Sequence, residues 1–221
     1  MVDAATQRLN MAESQVLTSD VTDRRILRAM RELPREVFVP APMAELAYMD
    51  EPVPLTPPGP GRRWLLAPRL QAKLLQLAAI DDGDRVLDIG CGSGYSSAVL
   101  AGMAKTVVAL ESDVRLAEQA RTNLAARGLD NVEVVVGDLT AGWAAKAPYD
   151  AIIIEGAVPA VPEMLFDQLK DGGCLVAIVS QDGLGKATIW RRLARSVDSW
   201  TAFDAATPAL PGFERAAVFV F

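Results

Sequence analysis

The chain has 221 residues, 51% of them hydrophobic and 23% charged, with a formal net charge of −6. This is the composition of an ordinary globular protein, long enough for one generous domain or one domain with an extension. It excludes a general nucleic-acid surface, which needs clustered positive charge. It also excludes a membrane-spanning helix, since no apolar run reaches roughly 18–20 residues, and, with no histidine anywhere, His-based triads, His general bases and most transition-metal sites.

The charge is unevenly divided. Residues 1–79 carry ten Lys and Arg against nine Asp and Glu, about +1, whereas residues 80–221 carry twelve against nineteen, −7. Residues 1–8 lack the apolar core of a secretory signal. Cys91 and Cys174 give no disulfide framework and suit a reducing compartment. The expectation is a cytoplasmic protein with no membrane or nucleic-acid partner and no metal.

In chain order, residues 5–17 suit an amphipathic helix through Leu9, Ala12 and Val16. Thr22 is placed to cap a second helix with Ile26, Met30 and Leu33 as its inner face, ended by Pro34. A short helical piece is expected near 43–48. Residues 51–61 hold five prolines and two glycines and read as a loop, neither strand nor helix. Pro68 opens a helix to about residue 79, with Leu70, Leu74 and Leu77 at helical spacing. From Asp84 the pattern alternates. Strands at 85–89, 106–110, 132–136, 151–154 and 174–179 are separated by helices at 96–103, 114–127 and 162–169, and Gly128 closes the middle helix. Nearly all-apolar strands are those covered on both faces, and their alternation with helices implies an α/β, doubly wound, mostly parallel sheet. Beyond Ser180, strand candidates at 187–193, 200–203 and 216–221 are expected to form an antiparallel edge.

The stretch Val86-Leu-Asp-Ile-Gly-Cys-Gly-Ser-Gly-Tyr95 reads as strand, glycine turn and helix start. Such a turn lets backbone approach a ligand that a Cβ would block, and it aims free N–H groups at the helix start towards that ligand. Cys91 within it reads as a small turn residue ahead of a reactive thiol. The glycines follow G-x-G-x-G, with Tyr95 in the sixth place where a dinucleotide fingerprint needs glycine, and the Gly-Lys-Ser/Thr of a phosphate loop is absent. Glu111 ends the second strand, 21 residues beyond Gly90, where an acidic side chain accepts ribose hydroxyls. Asp138 follows the third strand, beside the ligand crevice, where it can accept from an adenine amino group.

Asp88, Gly90, Gly92, Gly94, Glu111 and Asp138 together resemble the S-adenosylmethionine site of Rossmann-like methyltransferases. The resemblance implies that backbone around Gly90, Cys91, Gly92 and Gly94 meets the methionine part. It places Glu111, with Ser112, on the ribose and Asp138 with Leu139 on the adenine. Residues 80–221 would then be the Rossmann-like cofactor domain, and 1–79 a helical extension with an acceptor-side loop.

More of the chain is similar to one family, the protein-L-isoaspartate (D-aspartate) O-methyltransferases. The similarity runs over about residues 13–180. It includes Val21-Thr-Asp-Arg-Arg-Ile-Leu-Arg-Ala-Met30, Pro34-Arg-Glu-Val-Phe-Val-Pro40, Leu46-Ala-Tyr48, the glycine turn, Ala98-Val-Leu-Ala101, Ala147-Pro-Tyr-Asp-Ala-Ile152 and Asp167-Gln-Leu-Lys-Asp-Gly-Gly173. It implies a repair enzyme that methylates a carboxyl group of isoaspartyl protein or peptide. Two departures fall on the acceptor side. Where the family has Gly-Gln-Thr-Ile-Ser-Gln-Pro, this chain has Gly61-Arg-Arg-Trp-Leu-Leu-Ala-Pro68, so Leu66 replaces the Ser near the substrate carboxyl and Trp64 replaces the Thr. Where the family has Thr-Ala-Ala-Ala-Pro, this chain has Glu155-Gly-Ala-Val-Pro159.

A carboxylate acceptor is ionised at neutral pH and needs no base; an amine or hydroxyl acceptor would need one, and Glu155 is the candidate. Arg62, Arg63 and Arg69 are candidates to hold an anionic acceptor. The alternatives are a same-fold methyltransferase with another acceptor, a non-catalytic S-adenosylmethionine-binding protein, and an NAD-type oxidoreductase.

Overall fold

The computed structural model describes residues 3–181, 184–194 and 196–214. Asp3 caps the first helix, α1 (Ala4–Met11), by accepting from the Thr6 N–H at 2.7 Å. The helix expected over 5–17 loosens after Met11 into a π-helical turn, Ala12–Val16, and a 3-10 turn, Leu17–Ser19. Ser14, Thr18 and Ser19 each donate a hydroxyl to the carbonyl four residues back, which competes with the regular ladder. Helix α2 (Arg24–Glu32) is capped by Asp23, not Thr22, because the Asp23 carboxylate reaches the Arg25 N–H at 2.8 Å. The Thr22 N–H is taken instead by Gln76 Oε1 at 2.6 Å. Ile26 and Met30 are buried as expected, Leu27 joins them, and Leu33 is a half-buried C-cap. The piece near 43–48 is a 3-10 helix, Ala41–Leu46.

Residues 51–61 are not wholly loop. β1 (Val53–Pro54) pairs antiparallel with β2 (Trp64–Leu65) through Val53↔Leu65 and Pro54↔Trp64. So short a ladder has two free edges, where proline is tolerated. Helix α3 (Pro68–Leu77) begins on its proline. Its buried residues are Pro68, Gln71, Ala72, Leu74 and Leu75, so Leu74 of the expected stripe lies in the core while Leu70 and Leu77 pack against it partly buried.

The main sheet holds β3 (Arg85–Ile89), β4 (Thr106–Glu111), β5 (Val132–Val136), β6 (Tyr149–Val158), β7 (Leu169–Gln181), β8 (Leu184–Leu193) and β9 (Ser196–Asp204). Its order is β5-β4-β3-β6-β7-β8-β9, parallel through β7 and antiparallel over β8 and β9. Helices α4 (Tyr95–Ala101), α5 (Val114–Ala125) and α6 (Glu163–Asp167) lie between the parallel strands in sequence. This is the Rossmann-like, doubly wound sheet expected, with its antiparallel edge; the strand expected at 216–221 lies outside the described residues. The α6 helix is shorter than expected, and β9 runs beyond 200–203 at both ends. Both faces are covered: Val86 packs into one apolar cluster, with the N-terminal helices, while Leu87 and Ile89 pack into the other.

The N-terminal segment is tied to the sheet by a polar relay. Arg35 is wholly buried. Its Nε donates to the Ala47 carbonyl at 2.7 Å, its Nη2 to the Leu66 carbonyl, and its Nη1 to Gln71 Oε1 at 3.2 Å. Its guanidinium lies 4.7 Å from the centre of the Tyr95 ring. Gln71 Nε2 then donates to Glu155 Oε2 at 3.1 Å. Arg35→Ala leaves two buried carbonyls without their donor and should lower the unfolding free energy by about 3 kcal/mol or more. Urea denaturation measures this; a midpoint within error of the parent would show that the relay adds no stability.

Candidate active site

β3 leads by one crossover to β4 and, after β5, its other side is taken by β6. Such a switch point leaves a crevice at the carboxyl ends of the strands, where ligands bind in doubly wound sheets. The glycine turn leaves β3 there. Glu111 ends β4, Gly137 and Asp138 follow β5, and Glu155 lies one residue beyond Ile154, the partner of Ile89. The register supplies the reason for the Glu155 position. Ile153 pairs with Val176 and Ala157 with Ile178, so Ile154, Glu155 and Gly156 bulge against a single residue of β7.

Gly90, Gly92 and Gly94 have φ of 81°, 57° and 94°, backbone that favours glycine. The N–H groups of the turn are not free, however. Gly90 and Cys91 donate to the Leu110 carbonyl at 2.8 and 3.2 Å, Gly94 to the Cys91 carbonyl at 2.9 Å, and Gly92 to Glu111 Oε2 at 2.8 Å. Buried donors need partners, and the adjoining end of β4 supplies most of them. Asp88 fixes the helix to the strand: Ser96 and Ser97 donate their hydroxyls to its Oδ2 at 2.6 and 2.5 Å. Burial pushes the Asp88 carboxyl up to about 6 despite those bonds. Burial, with Asp88 and Glu111 nearby, also pushes the Cys91 thiol far up, which suits a turn residue and not a thiolate.

Glu111 is fully buried. Its Oε1 accepts from the Ser112 and Asp113 N–H groups at 2.8 and 3.0 Å. Its Oε2 accepts from the Gly92 N–H and from Arg63 Nη2, each at 2.8 Å. Asp138 is exposed and caps its own turn, accepting from the Thr140 hydroxyl and N–H at 2.7 and 2.8 Å, which holds its carboxyl below the usual range. Leu139 beside it is buried. Glu155 is buried with one oxygen on Gln71 and the other unpartnered, and burial pushes its carboxyl well up. The Leu66 side chain lies in the core.

Of the three arginines, Arg69 pairs with Asp50 at 3.1 Å and Arg62 stacks 4.3 Å from the Trp64 ring. Arg63 is brought into the crevice.

The family model of protein-L-isoaspartate(D-aspartate) O-methyltransferase matches residues 9–201. The chain belongs to the protein-L-isoaspartate O-methyltransferase family. It is 44% identical over 173 residues to a Methanoculleus marisnigri protein-L-isoaspartate O-methyltransferase, covering 78% of this chain and 77% of that one. A solved protein-L-isoaspartate O-methyltransferase superposes with a TM-score of 0.80 at 25% identity, over 95% of this chain and 67% of that one. A Plasmodium falciparum structure described as a β-aspartate methyltransferase in complex with S-adenosyl-L-homocysteine gives 0.77 at 20% identity, over 93% and 98%, a likeness of fold.

The family is S-adenosylmethionine-dependent, and the donor set here suits that molecule: a glycine turn, a carboxylate at the end of β4 and an Asp-Leu pair after β5. Of the nine buried side-chain polar atoms without a partner among the described residues, four belong to Arg63 (Nε and Nη1), Asp88 (Oδ1) and Glu155 (Oε1) at the crevice, the condition expected where a polar ligand completes a site. The space over the turn is taken by the chain itself. A Cβ on Gly90 would stand 3.0 Å from Arg63 Nη2 and from Leu210 Cδ1, and one on Gly92 would stand 2.6 Å from Leu55 Cδ1. These three residues are absent from the donor site read in the sequence. Leu55 and Leu210 carry no motif, and only the Arg63 charge in an apolar-flanked loop hints at a buried partner.

Stability should report the Asp88 carboxyl. An unfolded Asp titrates near 3.8, the folded one near 6. Between those values the folded chain keeps a proton that the unfolded chain has lost, so this contribution to stability declines as pH rises. The melting temperature of the parent should fall relative to Asp88→Asn between pH 4 and 6; parallel profiles would show that Asp88 titrates normally.

Proposed function

We propose that this chain transfers the methyl group of S-adenosylmethionine to a carboxyl group of an isoaspartyl residue in a protein or peptide. The observation that carries the reading is the glycine turn, Glu111 and Asp138 at one sheet edge in a chain of this family. Backbone of the 90–94 turn, including Cys91, faces the methionine part, and Asp88 steadies that turn through Ser96 and Ser97. Glu111, with Ser112 beside it, accepts from the ribose, and Asp138 with Leu139 faces the adenine. When bound, the cofactor supplies a methyl group on a sulfonium leaving group. The chain's task is alignment, since in-line displacement depends on close approach of the two atoms. An ionised carboxylate acceptor needs no base, which suits a chain without histidine.

In this reading residues 1–79 serve the acceptor and residues 80–221 the donor. No helix among the described residues is long and apolar enough to cross a membrane. Cys91 and Cys174 are buried free thiols, which suit a reducing compartment, and the reading is of a cytoplasmic protein with protein partners.

A second reading, transfer to a different acceptor, is favoured by Leu66 and Glu155. A core leucine donates no hydrogen bond to a substrate carboxyl. The unpartnered oxygen of Glu155 can receive a proton from an amine or hydroxyl.

An isoaspartyl peptide incubated with labelled S-adenosylmethionine should yield a base-labile methyl ester. Label on another acceptor with none on the peptide would favour the second reading, and none on any acceptor would leave a binding protein. Calorimetry should show S-adenosylhomocysteine bound and NAD not. Glu111→Ala should weaken that binding by about 1–3 kcal/mol, the range for a lost charged partner; unchanged affinity would remove Glu111 from the ribose site.

A further inference from the structure

We propose that Arg63 is a built-in occupant of the nucleoside position, carried on the β1–β2 hairpin, and that the hairpin must withdraw before the donor can bind. The inference rests on the donor reading above. Arg63 Nη2 holds the one Glu111 oxygen that is not committed to the β4–α5 corner, and the same nitrogen sits where a ligand would press on Gly90. A ribose hydroxyl donating to that oxygen and the Arg63 guanidinium compete for one acceptor. Leu55, from the same hairpin, covers Gly92 in the same way.

The two partners depend on each other unequally. Without Arg63, Glu111 keeps the Gly92, Ser112 and Asp113 N–H groups. Arg63 has a single side-chain hydrogen bond and two buried N–H sites, Nε and Nη1, with no acceptor. A buried guanidinium so poorly satisfied carries a large desolvation penalty, and moving out to water relieves it. The pair is therefore poised to separate, and a ligand hydroxyl can replace the guanidinium without leaving Glu111 bare.

The hairpin is anchored at its base, where Val53 and Leu65 lie in the core, and it is lightly held towards its tip. Two residue pairs and the Leu55 N–H to Arg63 carbonyl bond of 2.9 Å hold its strands together, and the Arg63 N–H reaches the Thr56 hydroxyl at 2.9 Å. Its tip is Pro57, Pro58, Gly59, Pro60 and Gly61, with nothing within 4 Å of a Cβ placed on either glycine. Leu55 and Thr56 line an open cavity of about 400 Å³ with Phe38, Ser93, Asp113 and Gln119. The cavity already reaches the turn at Ser93, and withdrawal of Leu55 extends it over Gly92. Leu210, by contrast, is anchored: its N–H donates to the Ala157 carbonyl at 2.8 Å, and the Ala157 N–H to the Pro208 carbonyl at 3.1 Å. Gly156 has no side chain because Leu210 Cβ would stand 2.8 Å from it. Leu210 stays as an apolar wall while the hairpin moves.

If closed and open forms exchange, apparent affinity is reduced by the open fraction. Arg63→Gln, which cannot neutralise Glu111, should bind S-adenosylhomocysteine about tenfold or more tightly than the parent in calorimetry. Equal or weaker binding by Arg63→Gln, with the parent binding, would overturn this inference and leave the donor reading standing. No binding by either chain would overturn both. A second measurement needs no change at Arg63. Trp64 lies on the hairpin, so S-adenosylhomocysteine should change tryptophan emission in the parent, and the change should be lost in Trp64→Phe. The same change in both chains would place the hairpin at rest and overturn the inference.

Discussion

The Glu111 carboxylate is the interaction on which the carboxyl edge of the sheet depends. It accepts from the glycine turn after β3, from the two N–H groups that open the path to α5, and from Arg63 on the hairpin. Three pieces of chain that are distant in sequence thus share one anion. A buried carboxylate is tolerated only when its lone pairs are filled, and here backbone donors fill most of them. The backbone part is permanent, set by β4 and the turn. The guanidinium is the exchangeable part. In the proposed donor site this division lets Glu111 serve both as a structural rivet and as the ribose acceptor.

The same reasoning accounts for the other acids at the edge. Asp88 and Glu155 are both buried, and burial pushes both carboxyls up. Neither has an ion-pair partner in the described residues; their bonds come from serine hydroxyls and from Gln71. Neutral donors stabilise an ionised carboxylate less than a cation does, so these two groups remain sensitive to whatever charge enters the crevice. Gln71 also joins Glu155 to Arg35, and so to the carbonyls of Ala47 and Leu66. The acceptor-side loop and the sheet edge are mechanically continuous through that relay.

The strand–helix alternation from Asp84 onward was readable because period and punctuation agreed: apolar strands, a glycine turn and Gly128 after α5. The N-terminal elements were blurred where local side-chain bonds compete with the backbone. Ser14, Thr18 and Ser19 loosen the first helix, and Asp23 outcompetes Thr22 as a cap because its carboxylate reaches the Arg25 N–H. The donor residues could be placed from spacing along three adjacent strands. What spacing could not reveal is contact between loops. The meeting of Arg63 with Glu111 joins residues 48 apart, and that of Leu210 with Gly90 depends on a strap laid across the β6 bulge. Neither leaves a periodic trace. The glycine N–H groups illustrate a subtler limit, since the turn geometry is encoded by Gly90, Gly92 and Gly94 while their hydrogen-bond partners are supplied by β4.

The departures from the family pattern at 61–68 and at Glu155 gain a common physical meaning from this arrangement. Replacing a hydroxyl-bearing loop by Arg-Arg-Trp-Leu-Leu removes a donor aimed at a substrate carboxyl. It installs a cation that folds back onto the donor carboxylate, with Leu65 and Leu66 packed into the core behind it. Glu155 adds a buried carboxyl on the same side, pushed well up by burial and by Asp88 nearby, with Gln71, Arg35 and Arg63 drawing it only partly back. The one ion pair of the crevice among the described residues is therefore Arg63 with Glu111. In the proposed open form Glu111 loses that cation, and its Oε2 is left with the Gly92 N–H and room for a ligand donor.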